Sequence, residues 1–472
     1  MANQKKAFIL WRLGLRERRT LLLLGDFIVG VTALLIALFA WGRGEEWFGL
    51  TQAFFTVRVD AWFYLLPLMW PFLMINLYDV HRAADQRQVL WGVATATIIG
   101  FTLYLIVYFA SENPLPRRGV AVFLIAASGL TLVWRLLYIR VFTAPQFMRR
   151  VLVVGAGRAG RTILRLFNQL DPKPFELVAL IDDDAELIDA QVEGHSVISA
   201  SDRLLEVVEE ESITDIIVAI TGEMMGHTFQ IILDAQERGV EITRMPVAYE
   251  ELANRVPIRI LEADWILRSF VDEFSVSGFY EALKRLIDII GGLVGVLILI
   301  FFLPFIALGT LIDTGRPIFY AQERLGKGGR IYKIIKFRTM RKDAESDGKP
   351  KLAKEGDTRV TSMGNILRKT HLDELPQFIN VLGGNMSLVG PRAERPVLVE
   401  KFCRNIPFYR ARLLVKPGIT GWAQVNYGYA ANVDETMMKI EYDLYYIKHR
   451  SLLLDILIML RTPPTILGMK GQ

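Results

Sequence analysis

Four apolar stretches in the first third of the chain constrain everything else. They run over about 21–41, 62–78, 90–110 and 120–138, each close to the roughly 20 residues that cross a bilayer as a helix. Three further stretches follow the first and no small-residue cleavage site accompanies it, so it does not read as a cleaved signal peptide. Lys5, Lys6, Arg12, Arg16, Arg18 and Arg19 precede the first stretch, and Arg140, Arg149 and Arg150 follow the fourth. The loops that would lie outside carry only Arg43 with Arg58, and Arg117 with Arg118. The positive-inside rule therefore turns both ends of this bundle to the cytoplasm. Trp41, Trp47, Trp62 and Trp91 sit near span ends, where interfacial aromatics belong. No span carries an acid or base near its middle, Arg135 being free to snorkel to the inner face, which weakens a transporter reading. The region 1–145 reads as a four-helix transmembrane anchor.

Composition narrows the rest. Of 472 residues, 52% are apolar and 22% charged, which excludes disordered, collagen-like and coiled-coil classes. A lone Cys403 excludes an internal disulfide framework, and one Cys with five His argues against a structural zinc site. The net charge of +5 is too diffuse to argue for nucleic acid.

Over 146–275 the periodicity becomes that of a Rossmann-like α/β domain. RRVLVVGAGRAGRTILRLF is a buried strand, a glycine-rich turn and a helix; FELVALIDDD and TDIIVAI supply further strands, and such alternation predicts a parallel sheet. Gly155, Gly157 and Gly160 match G-x-G-x-x-G in the strand–turn–helix setting that gives the motif meaning, and Asp182 ends the next strand, where an acid could hold a ribose hydroxyl. A nucleotide site and a domain kept for regulation or assembly, with nothing bound, are both open readings.

A fifth apolar stretch, 289–312, has Lys284 and Arg285 on one flank and Arg316, Arg324, Lys327 and Arg330 on the other. Positive charge on both sides does not suit a straight crossing. Pro304 kinks a helix, and Gly291, Gly292 and Gly295 weaken a rod. A bent, re-entrant membrane helix over about 284–312 is expected, an ordinary span being the alternative. It opens the third region, 276–472, an α/β domain that ends in EYDLYYIKHRSLLLDILIML, a segment suited to an amphipathic helix at a membrane surface.

That third region holds the residues able to do chemistry. Asp373 and Glu374 stand just before Pro376 and PQFINVL, so the pair is expected at a helix N-terminus, where a carboxylate and a bound phosphate are both favoured. Capping by Asp373 is the plainer reading of that acid alone. Lys336, Arg338, Arg368 and Arg392 lie in short segments around the dyad, and arginine forks match phosphate oxygens while lysine supplies a point charge. A carboxylate attacking phosphorus needs such cations, because like charges must otherwise approach. Mg²⁺ could be held by one carboxylate, Glu374, together with phosphate oxygens.

LDELPQFINVLGGNMSLVGPR, KFRTM and KPGITGWAQVN resemble the catalytic domain of bacterial polyprenyl-phosphate glycosyl-1-phosphate transferases, the initiating sugar transferases of exopolysaccharide and O-antigen assembly. The resemblance covers Lys284 to about Leu467, and the whole chain looks like the large, exopolysaccharide-type form: four helices, a Rossmann-like domain, then the catalytic domain. It implies transfer of a sugar-1-phosphate from a UDP-sugar, with UDP-glucose or UDP-galactose as the guess, to undecaprenyl phosphate with release of UMP. It implies Asp373 as the nucleophile forming a covalent phosphosugar, Glu374 as its partner and Mg²⁺ ligand, and Lys336, Arg338 and Arg392 as phosphate contacts. ALKRLIDII resembles the family's Lys-Arg-x-x-Asp approach to a proline-broken membrane helix, through Lys284, Arg285 and Asp288. Asp443 matches a further family acid; a helix-surface aspartate near Lys448 is its plainer reading. Trp422 and Gln424 could line a nucleotide site or simply form a turn. One departure is visible: the family usually reads Pro-Arg-Pro where Ala393 follows Arg392 here, which leaves the path beyond Arg392 open. The implied location is the bacterial inner membrane, with the catalytic domain on the cytoplasmic face and a homodimer as the default assembly.

Two other functions compete. Tyr280 and Lys284 form the Y-x-x-x-K pair of short-chain dehydrogenases, which would make the Rossmann-like unit an oxidoreductase, although interfacial anchoring explains Lys284 better. A nucleotide-binding scaffold without turnover is the other.

Overall fold

The computed structural model describes residues 15–43, 51–78, 80–110, 116–142, 148–222, 224–261, 278–341, 344, 357–427 and 433–467. They belong to two compact units, Met1–Met245 and Pro246–Gln472. The domain limits expected near 145 and 275 fall outside the described residues, as do Lys5, Lys6, Arg12 and Trp47.

In the first unit, the first expected span is a continuous apolar helix, α1 (Leu15–Arg43). The second departs from a single rod. It breaks into a tight turn at Ala61–Leu65, the short helix α2 (Leu66–Leu73) and another turn at Ile75–Tyr78. Pro67 suits the first turn where the helix restarts, and Pro71 inside it removes a backbone donor and crowds the preceding turn. Helices α3 (Gln86–Ala110) and α4 (Arg117–Phe142) complete the apolar set. Among the described residues, four helices are long and apolar enough to cross a membrane: α1, α3, α4 and Gly278–Asp313. Arg135 does not snorkel. It is fully buried, pairs with Asp26 of α1 at 2.6 Å and donates to the Leu77 carbonyl at 2.9 Å. A charge held in an apolar bundle needs such a partner, and Asp26, unremarked in the sequence, supplies it.

The same unit contains the expected parallel sheet. Strands β1 (Arg150–Val154), β2 (Glu176–Ile181), β3 (Gln191–Val192), β4 (His195–Ser199), β5 (Asp215–Val218) and β6 (Glu241–Arg244) lie in the order β3-β4-β2-β1-β5-β6. All neighbours are parallel except β3 with β4. The all-apolar run of β1 is buried on both faces, as a central parallel strand should be. Helices α5 (Arg158–Gln169), α6 (Leu204–Glu210) and α7 (Gly226–Glu237) make the crossovers.

The second unit is organised along α8 (Gly278–Asp313), a helix of 36 residues with Pro304 inside it. One face docks on the rest of the unit. A Cβ at Gly291, Gly292 or Gly295 would come within 2.5 Å of Leu388, 2.8 Å of Leu382 or 2.2 Å of Phe378, so these glycines bring helix and domain together rather than merely weakening a rod. Further along, Leu299 and Ile306 pack with Phe337 and Leu367, and Asp313 accepts from Met363 N at 2.9 Å. The other face leaves Leu297, Ile300, Phe301, Phe305, Leu308 and Ile312 exposed. Near its start, Arg285 donates to the carbonyls of Val381 (2.8 Å) and Leu382 (2.7 Å), and Asp288 accepts from Ser387 Oγ (2.9 Å) and Leu388 N (2.8 Å). Lys284 pairs with buried Asp455 at 2.8 Å and donates to Tyr446 at 3.1 Å.

Around α8 lie the antiparallel hairpin β7 (Phe319–Leu325) with β8 (Ile331–Phe337), helices α9 (Ser362–Lys369) and α10 (Gln377–Leu382), and the parallel pair β9 (Ser387–Val389) with β10 (Gly418–Thr420). Helix α11 (Pro396–Asn405) leads to a core that Tyr409 and Trp422 share with α12 (Val433–His449) and α13 (Leu452–Leu467), through Leu444, Ile447 and Ile458.

Candidate functional site

The dyad occupies a tight turn, Leu372–Glu374, directly ahead of α10 rather than in the helix itself. His371 makes this turn: its left-handed backbone (φ 57°) ends α9, and its carbonyl accepts from Glu374 N at 3.1 Å. Lys336 reaches the turn from the end of β8 and Arg392 from the loop after β9. Lys336 Nζ lies 2.7 Å and Arg392 Nη2 2.9 Å from the same Glu374 oxygen, Oε1. Burial pushes the Glu374 carboxyl up, but Arg392 and Lys336 outweigh it and hold the group well below the usual carboxylate range.

Asp373 differs from its neighbour. It is 8% exposed and makes no ion pair among the described residues. Burial raises its pKa to about 6; Lys336, Arg368 and Arg392 pull it down and Glu374 pushes it further up. The result is a carboxylate ionised near neutral pH, poorly solvated and without an ion-pair partner among the described residues. Arg368 donates to Thr339 Oγ1 at 2.9 Å from α9. Arg338 bonds through its backbone to the Ile318 carbonyl (2.8 Å), while its Nη1 is buried with no partner among the described residues.

The sequence motifs prove to be structural partners of one another. A Cβ at Gly390 would stand 2.3 Å from the Lys416 carbonyl, at Gly418 2.1 Å from Gly390 N, and at Gly421 2.3 Å from the Gly390 carbonyl. The G-P-R and K-P-G-I-T-G runs thus touch backbone to backbone, which only glycine allows. The path beyond Arg392 is held without a second proline: Arg324 donates to the Ala393 carbonyl at 3.0 Å, and Leu325 N to the Glu394 carbonyl at 3.1 Å.

Asp443 is not a surface aspartate. It is buried and accepts from Arg412 Nη2 at 2.8 Å, and Arg412 in turn donates to the Arg392 carbonyl (3.0 Å) and to Tyr409 (2.7 Å). Burial raises the Asp443 pKa to about 6 against the pull of Arg412 and Lys439. Its reach to the dyad is therefore indirect, through the backbone that carries Arg392, and Arg412 was missed because nothing local in the sequence marks it. Trp422 is a core side chain donating to the Asn254 carbonyl at 2.9 Å, and Gln424 bonds the Ile419 carbonyl at 3.1 Å. Tyr280 and Lys284, the dehydrogenase-like pair, both terminate on Asp455, at 3.0 and 2.8 Å.

In the Rossmann-like domain, Gly155 follows β1 with φ 104°, and a Cβ at Gly160 would lie 2.0 Å from the Gly155 carbonyl. Gly157 faces open space. Asp182 points back into the turn: Ala156 N donates to its Oδ2 at 2.5 Å and Asp184 N to its Oδ1 at 2.9 Å.

Among the described residues, no group of three or more His, Cys, Asp or Glu could hold a metal ion. Glu374 could serve as the single carboxylate that Mg²⁺ takes, the rest of its shell being water and phosphate oxygens.

Comparison with known proteins adds the following. A family model described as bacterial sugar transferase matches residues 279–469, and one described as a CoA-binding domain matches 74–246. A UDP-N-acetylgalactosamine-undecaprenyl-phosphate N-acetylgalactosaminephosphotransferase from Aeromonas hydrophila is 43% identical over 218 residues, 46% of this chain and 50% of that protein. A UDP-glucose:undecaprenyl-phosphate glucose-1-phosphate transferase from Xanthomonas campestris pv. campestris is 31% identical over 338 residues, 68% of this chain and 67% of that protein. The exopolysaccharide production protein PSS of Rhizobium leguminosarum bv. phaseoli is 38% identical over 190 residues, 38% of this chain and 92% of that protein. The chain spans about half the length of the Aeromonas relative.

Proposed function

Because the chain belongs to the bacterial sugar transferase family, we propose that it transfers a sugar-1-phosphate from a UDP-sugar to undecaprenyl phosphate, releasing UMP and starting a polysaccharide repeat unit. The observation that carries this reading is the unequal treatment of the dyad: Glu374 is clamped by Lys336 and Arg392 while buried Asp373 makes no ion pair among the described residues. In the first step an Asp373 oxygen attacks the β-phosphorus of the donor. The phosphorus–oxygen bond to the α-phosphate breaks, and UMP leaves with the electron pair. In the second, an oxygen of undecaprenyl phosphate attacks the same phosphorus and Asp373 departs as a carboxylate. Lys336, Arg368 and Arg392 lower the repulsion between anions that both steps must overcome. Glu374, with Asp373 beside it, would hold Mg²⁺, which supplies charge neutralisation on the donor's diphosphate.

A re-entrant course for α8 belongs to the same proposal. Its start and its end are both tied to one small domain, through Arg285 and Asp288 at one end and Asp313 at the other, with its exposed apolar face left for lipid. Positive charge on both flanks supports the cytoplasmic side of the inner membrane. The donor is UDP-glucose, UDP-galactose or an N-acetylated relative; the relatives' names include UDP-glucose and UDP-N-acetylgalactosamine. The test is UMP release from a panel of UDP-sugars with undecaprenyl phosphate. Turnover is expected with one donor and near-complete loss in Asp373→Asn; full activity in that variant would remove Asp373 from the mechanism.

A further inference from the structure

Glu374, Gln377 and Asn380 are spaced three residues apart on a continuously helical path, with Leu375 and Pro376 both in the right-handed helical region. Such residues share one face, and here that face meets β8. The outer two are matched by that strand. Glu374 takes Lys336 Nζ at 2.7 Å, and Asn380 accepts from Ile335 N (3.1 Å) and donates to the Lys333 carbonyl (2.9 Å). Gln377, between them, is 3% exposed, and its Nε2 is buried with no hydrogen-bond partner among the described residues. An unmatched amide in an otherwise satisfied row destabilises the fold and calls for a partner that none of the described residues supplies.

Resting on the transfer reading of the dyad, we infer that Gln377 is a further catalytic residue, its Nε2 donating a hydrogen bond to a non-bridging oxygen of the phosphoryl group passing to Asp373. A carboxamide N–H requires an acceptor, and Asp373 lies one turn back along the same path. The transferred phosphoryl group brings acceptor oxygens to that point. A fixed neutral donor answers the charge that develops on those oxygens without adding to the cations already around Glu374. Gln377 keeps its protons throughout; the only bonds exchanged are those of the phosphorus, from UMP to Asp373.

Gln377→Met nearly preserves volume and removes the donor. In the full-length protein, with the UDP-sugar the wild type accepts and no lipid acceptor, its burst of UMP should slow about a hundredfold. Its melting temperature should equal or exceed that of the wild type, because an unmatched donor has gone. Donors carrying sulfur at a non-bridging position of the β-phosphorus should show one preferred diastereomer with the wild type and no preference with Gln377→Met. An unchanged burst or an unchanged preference would overturn the inference. So would a variant that melts lower or fails to fold, since the amide would then be structural. A wild-type protein that releases no UMP from any UDP-sugar would overturn the transfer reading as well, which separates the two failures.

Discussion

The glycine-rich turn of the first unit and the dyad turn of the second both place an acid next to a site where phosphate could bind, and they treat that acid in opposite ways. Asp182 is held by two backbone amides of its own domain, Ala156 N and Asp184 N. Asp373 is buried with no ion pair among the described residues, beside a glutamate that holds two cations in place. Polar groups that a fold satisfies from within are scaffolding by default; those left unmatched at a cost in stability mark where a ligand is expected. The contrast predicts that substitutions at the two turns separate cleanly, one set changing turnover and the other only stability.

Below the near-complete loss expected of Asp373→Asn, the next largest effect is expected from Glu374→Gln, which releases Lys336 and Arg392 from their common anchor. Turnover should fall by about 10²–10³-fold, measured as UMP release at saturating donor. Retained turnover would mean that the clamp is structural only. Next comes the second layer. Arg412→Met leaves Asp443 buried without its partner, and breaking such a pair costs about 3–5 kcal/mol; calorimetry should show that loss, and residual activity should fall about tenfold as the Arg392 backbone loosens.

The pH profile sharpens the comparison further. On the proposed mechanism Asp373 attacks as the carboxylate, and burial raises its pKa to about 6, so the rate of UMP release should decline as pH drops through about 6. The stability effect runs the other way. Between about pH 4 and 6 the folded chain binds a proton at Asp373 that the unfolded chain does not, so ionised Asp373 destabilises the fold at neutral pH and the cost is relieved on acidification. Asp373→Asn should therefore melt higher than wild type at pH 7.5 and not at pH 4.5. Glu374, held low, contributes stability at neutral pH that is lost only in strong acid. The smallest effect is expected from Asp182→Ala, which removes an acceptor for Ala156 N. About 1 kcal/mol of stability should be lost with turnover unchanged; a large loss of turnover would make the first unit part of the working machinery.

Local patterns carried most of this architecture. The glycine-rich turn, the buried β1 run and three of the four expected spans follow from periodicity within one segment, and LDELP, KFRTM and GPR brought Asp373, Glu374, Lys336 and Arg392 to one place. The second span was misread as a single rod because hydropathy outweighed Pro67 and Pro71. What stayed hidden was pairing at long range. Asp26 meets Arg135 across 109 positions, Arg412 meets Asp443 across 31, and Lys284 meets Asp455 across 171. Each partner looks ordinary in its own segment, and only the packed fold shows that a buried charge needed it. Gln377 was hidden for the opposite reason, since its distinction is the absence of a partner for its Nε2 among the described residues.

The most direct measurement is intact-protein mass spectrometry after incubation with a UDP-sugar in the absence of undecaprenyl phosphate. One equivalent of UMP should be released, and the protein should gain one sugar-phosphate, mapped by peptide analysis to Asp373 and discharged when the lipid phosphate is added. UMP released only when both substrates are present, with no mass gained at any stage, would contradict a covalent role for Asp373.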